Sequence, residues 1–478
     1  MYKTRRSRSV DPPLVVDLDG TLVRTDILFE SFFLLLSSSP WKAIEAIAAL
    51  PRGRAALKSQ IANQAALDFT ALPFNDDVRN FVETEHRRGR KIYLASATDE
   101  RYVRAVADGM GIFDGVFGSN GTLNLAGSVK ATSLCEAFGA GGFDYIGDAS
   151  VDEDVWRKAR NVYVADARPS HLAEIRIWAP NAQAIGMRRV QIEDYLRAIR
   201  IHQWLKNLLV FVPAIAAHEL VAELGAVLLA FLSFSLCASS VYILNDLLDL
   251  KNDRAHSRKK NRPFASGRVP ILHGVLLFPL LLLGSLVLAL FLPFEFLQAL
   301  VGYYALTCAY SFYLKKKLLI DVTVLACLYG SRLWAGAAAI GAALSPWLIA
   351  FAIFIFFCLA LVKRCSELID RLQKSKQDPA GRAYRLGDLP ALQFMAAASG
   401  AVSPLVLALY LNSESVRALY TYPDRLWIVC IILLFWISRV LLLTQRGEMH
   451  DDPVVFAATD RTSLLSAAAC SGAILISI

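Results

Sequence analysis

From about residue 206 onward the sequence is a succession of nine apolar runs, roughly 207–222, 225–245, 270–292, 296–313, 318–342, 346–362, 393–411, 425–444 and 462–478. Each approaches the length of about 20 residues at which a helix crosses the hydrocarbon of a bilayer. A chain with that many such runs, a mean hydropathy of +0.43 and 55% hydrophobic residues is expected to fold partly in lipid. The first 190 or so residues lack the excess and carry the mixed charge of a soluble domain. The expected division is a tail at 1–12, a soluble domain at 13–168, a linker with an amphipathic surface segment at 169–205, and an all-α polytopic membrane domain at 206–478.

The formal net charge of +8 does not point to nucleic acid, because no nucleic-acid motif accompanies it and the basic residues of the second half sit between apolar runs. With nine crossings and the soluble domain inside, the loops at 247–268, 314–318, 363–390 and 445–461 are also inside and hold nineteen Lys and Arg, against two in the outside loops. That asymmetry fits the positive-inside rule and predicts a multi-pass protein of the inner (cytoplasmic) membrane. Arg188, Arg189, Arg197, Arg200, His202 and Lys206 among Tyr195, Leu196 and Trp204 read as a basic approach to the membrane surface. The start MYKTRRSRSVDPP precedes a strand too short for a signal-peptide core. Eight cysteines without a C-x-x-C pair read as buried thiols.

At the end of the second apolar run stands YILNDLLDLKNDRAHSRKKNRPFASG, residues 242–267. At about 100° per residue, Asp246, Asp249 and Asp253 fall within roughly 60° of one another on a helix, with Asn245 beside them. Such a face suits Mg²⁺, which takes one or two carboxylates together with substrate phosphate oxygens and water. The alternative is a solvated, capped helix end. Further charges gather at the same loop side: Lys315, Lys316, Lys317, Asp321, Lys363, Arg364 and Glu367. Arg332 lies inside an apolar run, where a charge costs about 2.5–3.5 kcal/mol and demands a partner or an anionic ligand. Snorkelling to the interface is the reading favoured for one or two of the three lysines.

The soluble domain alternates strands with helical stretches, which predicts an α/β doubly wound parallel sheet with its site at the carboxyl ends of the strands. Asp17 and Asp19 in LVVDLDGTL, Ser96 in KIYLASATD, Lys130 in GSVKATSL, and Asp148 and Asp152 in FDYIGDASVDED all fall at such ends or just after them. In order and spacing these resemble the four motifs of the haloacid dehalogenase (HAD) phosphatase superfamily, over residues 13 to about 166. The resemblance implies that Asp17 attacks a phosphoryl group and Asp19 serves as general acid and base. It further implies that Ser96 and Lys130 hold phosphate oxygens and that Asp17, Asp19, Asp148 and Asp152 surround Mg²⁺. Residues 26–75 read as a small helical cap whose Phe29, Phe32, Phe33 and Leu34 to Leu36 form its core or meet lipid. A degenerate sheet kept as scaffold is the competing reading.

The membrane half, with Asn245, Asp246, Asp249 and Asp253 and its nine runs, resembles the UbiA-type prenyltransferase superfamily over about 190–478. Members that ionise a prenyl diphosphate have a second Asp-rich segment, whereas here Asp321 is followed at the matching offset by Leu325. QWLKN, NDLLDLKNDRAH, KNRPFASG, YSFYLKKKLLID and VKRCSEL are closer to the decaprenyl-phosphate phosphoribosyltransferase branch. What this resemblance implies is Mg²⁺-dependent transfer of 5-phosphoribose from phosphoribosyl pyrophosphate to a polyprenyl phosphate. Asn245, Lys206, Arg262, Lys317, Asp321, Arg332, Lys363 and Arg364 are the residues expected to bind substrate. A phosphatase in the same chain would then remove the 5-phosphate, giving a lipid-linked pentose. Two rivals remain: transfer of a prenyl diphosphate chain to an aromatic or other small acceptor, and a carrier or channel with a regulatory soluble domain.

Overall fold

Continuous apolar runs flanked by helical stretches favour strands buried on both faces, and the N-terminal part is built on them. The computed structural model describes residues 11–187, 191–256, 258–373, 383–449 and 452–477. Six parallel strands, β1 (Leu14–Asp17), β2 (Ile92–Asp99), β3 (Gly115–Ser119), β4 (Asp144–Gly147), β5 (Val162–Ala165) and β6 (Gln183–Ile185), lie in the order β3-β2-β1-β4-β5-β6. Leu14, Val15 and Val16 are fully buried, with Leu14 and Val16 packed into one layer and Val15 into the other. The chain reverses direction across the sheet between β1 and β4, where Leu14 pairs with Asp144 and Val16 with Ile146. An open sheet of this order presents its ligand crevice at the carboxyl ends of the strands flanking that point. Asp17 ends β1 and Asp148 follows β4.

Between β1 and β2 the chain forms the helices Ile27–Ser38, Pro40–Ile47 and Arg54–Gln64. Leu35, Ala43, Ala46 and Ile61 make a small core of their own, with Phe32 and Leu36 partly buried against it. After β6, the helix Ile192–Ile199 buries Asp194 and Ala198 and leaves Ile192 and Leu196 exposed. Arg188 and Arg189 of the expected basic approach lie outside the described residues.

The described residues form two compact units. One joins the N-terminal part, up to Ile199, with Tyr242–Leu277; the other comprises Arg200–Val241 and Phe278–Ile478. The Asp-rich segment therefore packs with the sheet domain, a grouping the sequence division at residue 206 does not anticipate.

In the second unit, and in the helices Leu224–Leu248 and Ile271–Ala289 that belong in part to each, apolar length dominates. Among the described residues six helices are long and apolar enough to cross a membrane: Leu224–Leu248, Ile271–Ala289, Ile320–Ala339, Pro346–Gln373, Leu386–Leu411 and Pro423–Gln445. Six of the nine expected crossings thus correspond to such helices. Of the others, the run at 296–313 is the helix Phe294–Phe312 and the last is the shorter helix Arg461–Leu475. The first, expected as one crossing, divides into a 3₁₀ stretch Ile201–Phe211 and the short helix Val212–Ala216, where Pro213 supplies no N–H to extend the ladder upstream. Tyr329, Leu333, Phe356, Leu359 and Ile437 centre the core. Leu280, Leu283, Ile431 and Phe435 stay exposed, as lipid-facing side chains do.

Candidate functional sites

At the carboxyl end of β1, burial and charge compete over Asp17. Lys130 Nζ donates to its Oδ1 at 2.7 Å, to the Tyr145 hydroxyl at 2.9 Å and to Asp152 Oδ1 at 3.4 Å. The Tyr145 hydroxyl donates in turn to Asp152 Oδ1 at 2.8 Å. Burial raises the Asp17 carboxyl well above its usual range and the charges of Asp152 and Asp19 add to this, while Lys130 opposes them. Lys130 is held above the usual lysine range because Asp17 and Asp152 outweigh its own burial. Thr21 Oγ1 donates to Asp148 Oδ1 at 3.1 Å. Gly20, at φ +77°, lets the turn pass this carboxylate, since a Cβ there would lie 2.5 Å from Asp148 Oδ2.

Oxygens of Asp17, Asp148 and Asp152 lie within 4.8 Å of one another, a hard donor set suited to Mg²⁺. Asp19, placed around the same ion by the sequence reading, turns its side chain elsewhere. Ser96 Oγ and Thr98 Oγ1 donate to its Oδ2 at 2.7 and 2.8 Å, and the Ile27 N–H donates to Oδ1 at 2.8 Å. Thr98, Tyr145 and Thr21 are contributors the sequence reading missed. Each lies two or three positions from a residue it did single out: Thr98 from Ser96, Thr21 from Asp19 and Tyr145 from Asp148.

In the Asp-rich segment the expected single helix face is interrupted. The helix Leu224–Leu248 ends, Asp249 sits at φ −101°, ψ 11°, and a short helix Leu250–Ala255 restarts. Asp246 and Asp253 nevertheless meet through Arg262, whose Nη1 donates to Asp246 Oδ1 at 3.0 Å and to Asp253 Oδ2 at 2.7 Å. Asn245 and Asp249 are half-buried. Burial lifts Asp253 to about 6, Asp246 adding to the shift and Arg262 resisting it. A guanidinium thus stands where two carboxylates converge. The position accepts a cation, and this same Arg is one of the expected phosphate holders.

The second unit gathers a different set. Lys206 Nζ donates to Asp452 Oδ2 at 2.5 Å and Lys363 Nζ to the same oxygen at 3.3 Å. Burial raises the Asp452 carboxyl, but Lys363 and Lys206 outweigh it and hold the group below the usual range. Arg332 Nε donates to Asn207 Oδ1 at 2.9 Å, and its guanidinium carbon lies 5.2 Å from the ring centres of Phe234 and Tyr303. A wholly apolar cavity of about 250 Å³ is lined by Leu209, Val212, Leu333, Phe356, Trp436 and Val454. Leu209 and Val454 stand three and two residues from Lys206 and Asp452, so cationic groups and an apolar slot are neighbours along the chain. Two other residues expected to bind substrate are engaged with each other: Arg364 Nε lies 2.6 Å from Asp321 Oδ2, both side chains almost wholly buried, and Arg364 Nη1 pairs with Glu367 at 2.5 Å. Lys317 is exposed, its Nζ 4.8 Å from the Tyr313 ring centre.

Sequence comparison relates the chain to known proteins. Residues 208–448 match the UbiA prenyltransferase family. The uncharacterized protein y4nM of Sinorhizobium fredii is 35% identical over 98% of this chain and 91% of its own length. Nodulation protein NoeC of Azorhizobium caulinodans is 32% identical over 58% of this chain and 91% of its own length. Decaprenyl-phosphate phosphoribosyltransferase of Mycolicibacterium smegmatis is 34% identical over 37% of this chain and 58% of its own length. With more than half of its length matched, and with the Asp-rich segment inside the match, the chain belongs to the UbiA prenyltransferase family.

Proposed function

We propose that the chain transfers 5-phosphoribose from phosphoribosyl pyrophosphate to a polyprenyl phosphate, and that its sheet domain is a HAD-type phosphatase that removes the 5-phosphate from the product. The observation that carries the transferase reading is that buried Lys206 and half-buried Lys363 converge on Asp452, while Leu209 and Val454, close to Lys206 and Asp452 in the chain, line an apolar cavity, an arrangement matched to a phosphate head on a hydrocarbon chain. The identity to a decaprenyl-phosphate phosphoribosyltransferase supports the choice of donor.

In this reading Asp246, Asp249 and Asp253, with Asn245, would hold Mg²⁺, which would supply charge neutralisation for a diphosphate leaving group. Arg262 exchanges its two carboxylates for phosphate oxygens. Lys206, Lys363 and Arg332 receive the acceptor phosphate, displacing Asp452 from the lysines. An oxygen of that phosphate attacks the anomeric carbon, the carbon–oxygen bond to pyrophosphate breaks, and pyrophosphate departs with the electron pair. In the sheet domain, Asp17, Asp148 and Asp152 would hold a second Mg²⁺. There Asp17 Oδ attacks the 5-phosphate, Asp19 protonates the departing sugar oxygen, and Lys130 offsets the charge of two anions meeting. Water then attacks the aspartyl-phosphate, with Asp19 taking its proton.

Membranes bearing the full chain, incubated with labelled phosphoribosyl pyrophosphate and polyprenyl phosphate, test both halves. Asp246→Asn should lower lipid labelling at least about a hundredfold, as expected for loss of a group that stabilises the leaving charge. Asp17→Asn should leave labelling intact and accumulate the 5-phosphorylated lipid. Dephosphorylation unchanged in Asp17→Asn sinks the phosphatase assignment. Label found only when a prenyl diphosphate and an aromatic acceptor are supplied sinks the donor assignment.

A further inference from the structure

Where the Asp-rich segment packs on the sheet domain, a buried ion pair serves neither set of candidate site residues directly. Glu30, in the first turn of the helix Ile27–Ser38, takes both terminal nitrogens of Arg254. Arg254 Nη1 donates to Oε1 at 2.5 Å and Nη2 to Oε2 at 3.0 Å, with the side chains 7% and 5% exposed. Thr25 Oγ1 donates to Glu30 Oε2 at 2.9 Å, and Arg254 Nε donates to the Ala265 carbonyl at 2.9 Å. A two-pronged contact of this kind fixes direction as well as distance.

Each end of the pair is a short step from a candidate site. The helix carrying Glu30 begins at the Ile27 N–H that donates to Asp19, three residues earlier. Arg254 directly follows Asp253, and the Ala265 carbonyl it holds lies three residues beyond Arg262, so Arg254 closes the loop whose two ends form the Asp253–Arg262–Asp246 latch. The same loop is seated a second time at Gly267, where φ is +70° and a Cβ would lie 2.6 Å from the Arg24 carbonyl oxygen. Arg268 reaches Asp194 at 3.4 Å and the Tyr195 hydroxyl meets His273 Nδ1 at 2.7 Å.

We propose that Glu30 and Arg254 are positioning residues that couple the two sites: the setting of the helix beginning at Asp19's contact fixes the loop that opens or closes the Asp246–Arg262–Asp253 latch. Occupancy of the sheet-domain site by a phosphate then changes the affinity of the Asp-rich segment for a diphosphate, and the reverse holds by linkage. The inference rests on reading the Asp-rich segment as a diphosphate site.

The test uses the full chain in lipid nanodiscs, with Mg²⁺ and inorganic pyrophosphate as probe and the binding abolished by Asp246→Asn taken as the specific part. Glu30→Gln, nearly isosteric, should raise the dissociation constant of that part about tenfold, and orthovanadate at the sheet-domain site should shift it in the wild-type chain but not in the variant. Arg254→Gln should show the same loss, and the double variant no more than either alone, because both act through one contact. Thermal unfolding of each variant reports the folded fraction by which binding is normalised. Glu30→Gln binding like wild type, additive losses in the double variant, or a vanadate effect absent from the wild type or retained in Glu30→Gln overturns the proposal. Absence of any Asp246-dependent binding in the wild-type chain overturns the diphosphate reading itself, and the coupling with it.

Discussion

Asp452 is a residue whose meaning depends wholly on the fold. In the sequence it is an acid before Pro453, and as such an ordinary N-cap: its Oδ1 accepts from the Val454 and Val455 N–H groups. Its other oxygen meets Lys206 from 246 positions earlier and Lys363 from 89 positions earlier, so no local pattern could reveal it. Removing the carboxylate partner of a buried cation such as Lys206 costs about 3–5 kcal/mol. Asp452→Asn keeps the cap and removes that charge. The expected outcome is a chain less stable by about that amount in phosphate-free detergent, with the loss largely recovered on adding polyprenyl phosphate or a high concentration of inorganic phosphate, read by thermal unfolding. A loss that no phosphate recovers would mean the lysines do not form an anion site. Arg364 teaches the opposite lesson. It was expected beside Lys363 as a phosphate holder, and its partners in the fold are Asp321 and Glu367, the second only three residues away.

Elements were legible in proportion to how locally they are specified. LVVD, KIYLASATD and DYIG read as buried strands because continuous apolar runs allow little else between helices, and Asp17, Ser96 and Asp148 follow from where those strands end. The break at Asp249 was not legible, because Arg262 and the loop that returns it replace the hydrogen-bond and charge partners a continuous helix would have left to solvent. The helix Ile27–Ser38 shows what the site asks of an element. Asp26 caps it, accepting from the Leu28 and Phe29 N–H groups. Burial and then the charge of Asp19 lift its carboxyl to about 6, against the cap bonds and Lys58. A carboxyl raised in the folded state binds its proton more tightly there than in the unfolded chain, so its contribution is full below about pH 4 and is lost as pH rises through about 6. Asp26→Asn, which caps equally well, is therefore expected to stabilise the protein at pH 7.5 by about 1–2 kcal/mol, the side chain's partial exposure being allowed for. In magnesium-free buffer this is a rise of about 2–6 °C in Tm. The gain should shrink steadily between pH 7 and pH 5; a gain constant with pH would remove the charge explanation.

Across the whole molecule, the composition that first separated a soluble half from a lipid half does not coincide with the compact units, because Tyr242–Leu277 leaves the apolar half and packs with the sheet domain. That grouping has a topological consequence under the proposed function. Both substrates of the transfer present phosphate, and Arg262 and Lys363, two of the residues proposed to hold it, fall in the loop set rich in Lys and Arg, nineteen against two. If the positive-inside rule orients the chain, the sheet domain and the Asp-rich loop face the cytoplasm and the segment Glu414–Leu419, which holds Arg417, faces outward. Single cysteines placed at exposed positions of each side distinguish the orientations: Glu414→Cys on one and Arg54→Cys on the other, the signal of the unaltered chain being subtracted for its eight native cysteines. A membrane-impermeant maleimide added to intact spheroplasts is expected to label the cysteine introduced by Glu414→Cys at once and that introduced by Arg54→Cys only after lysis. The reverse pattern would place the Asp-rich loop on the outer face, away from cytoplasmic phosphoribosyl pyrophosphate, and the proposed donor would fall with the orientation.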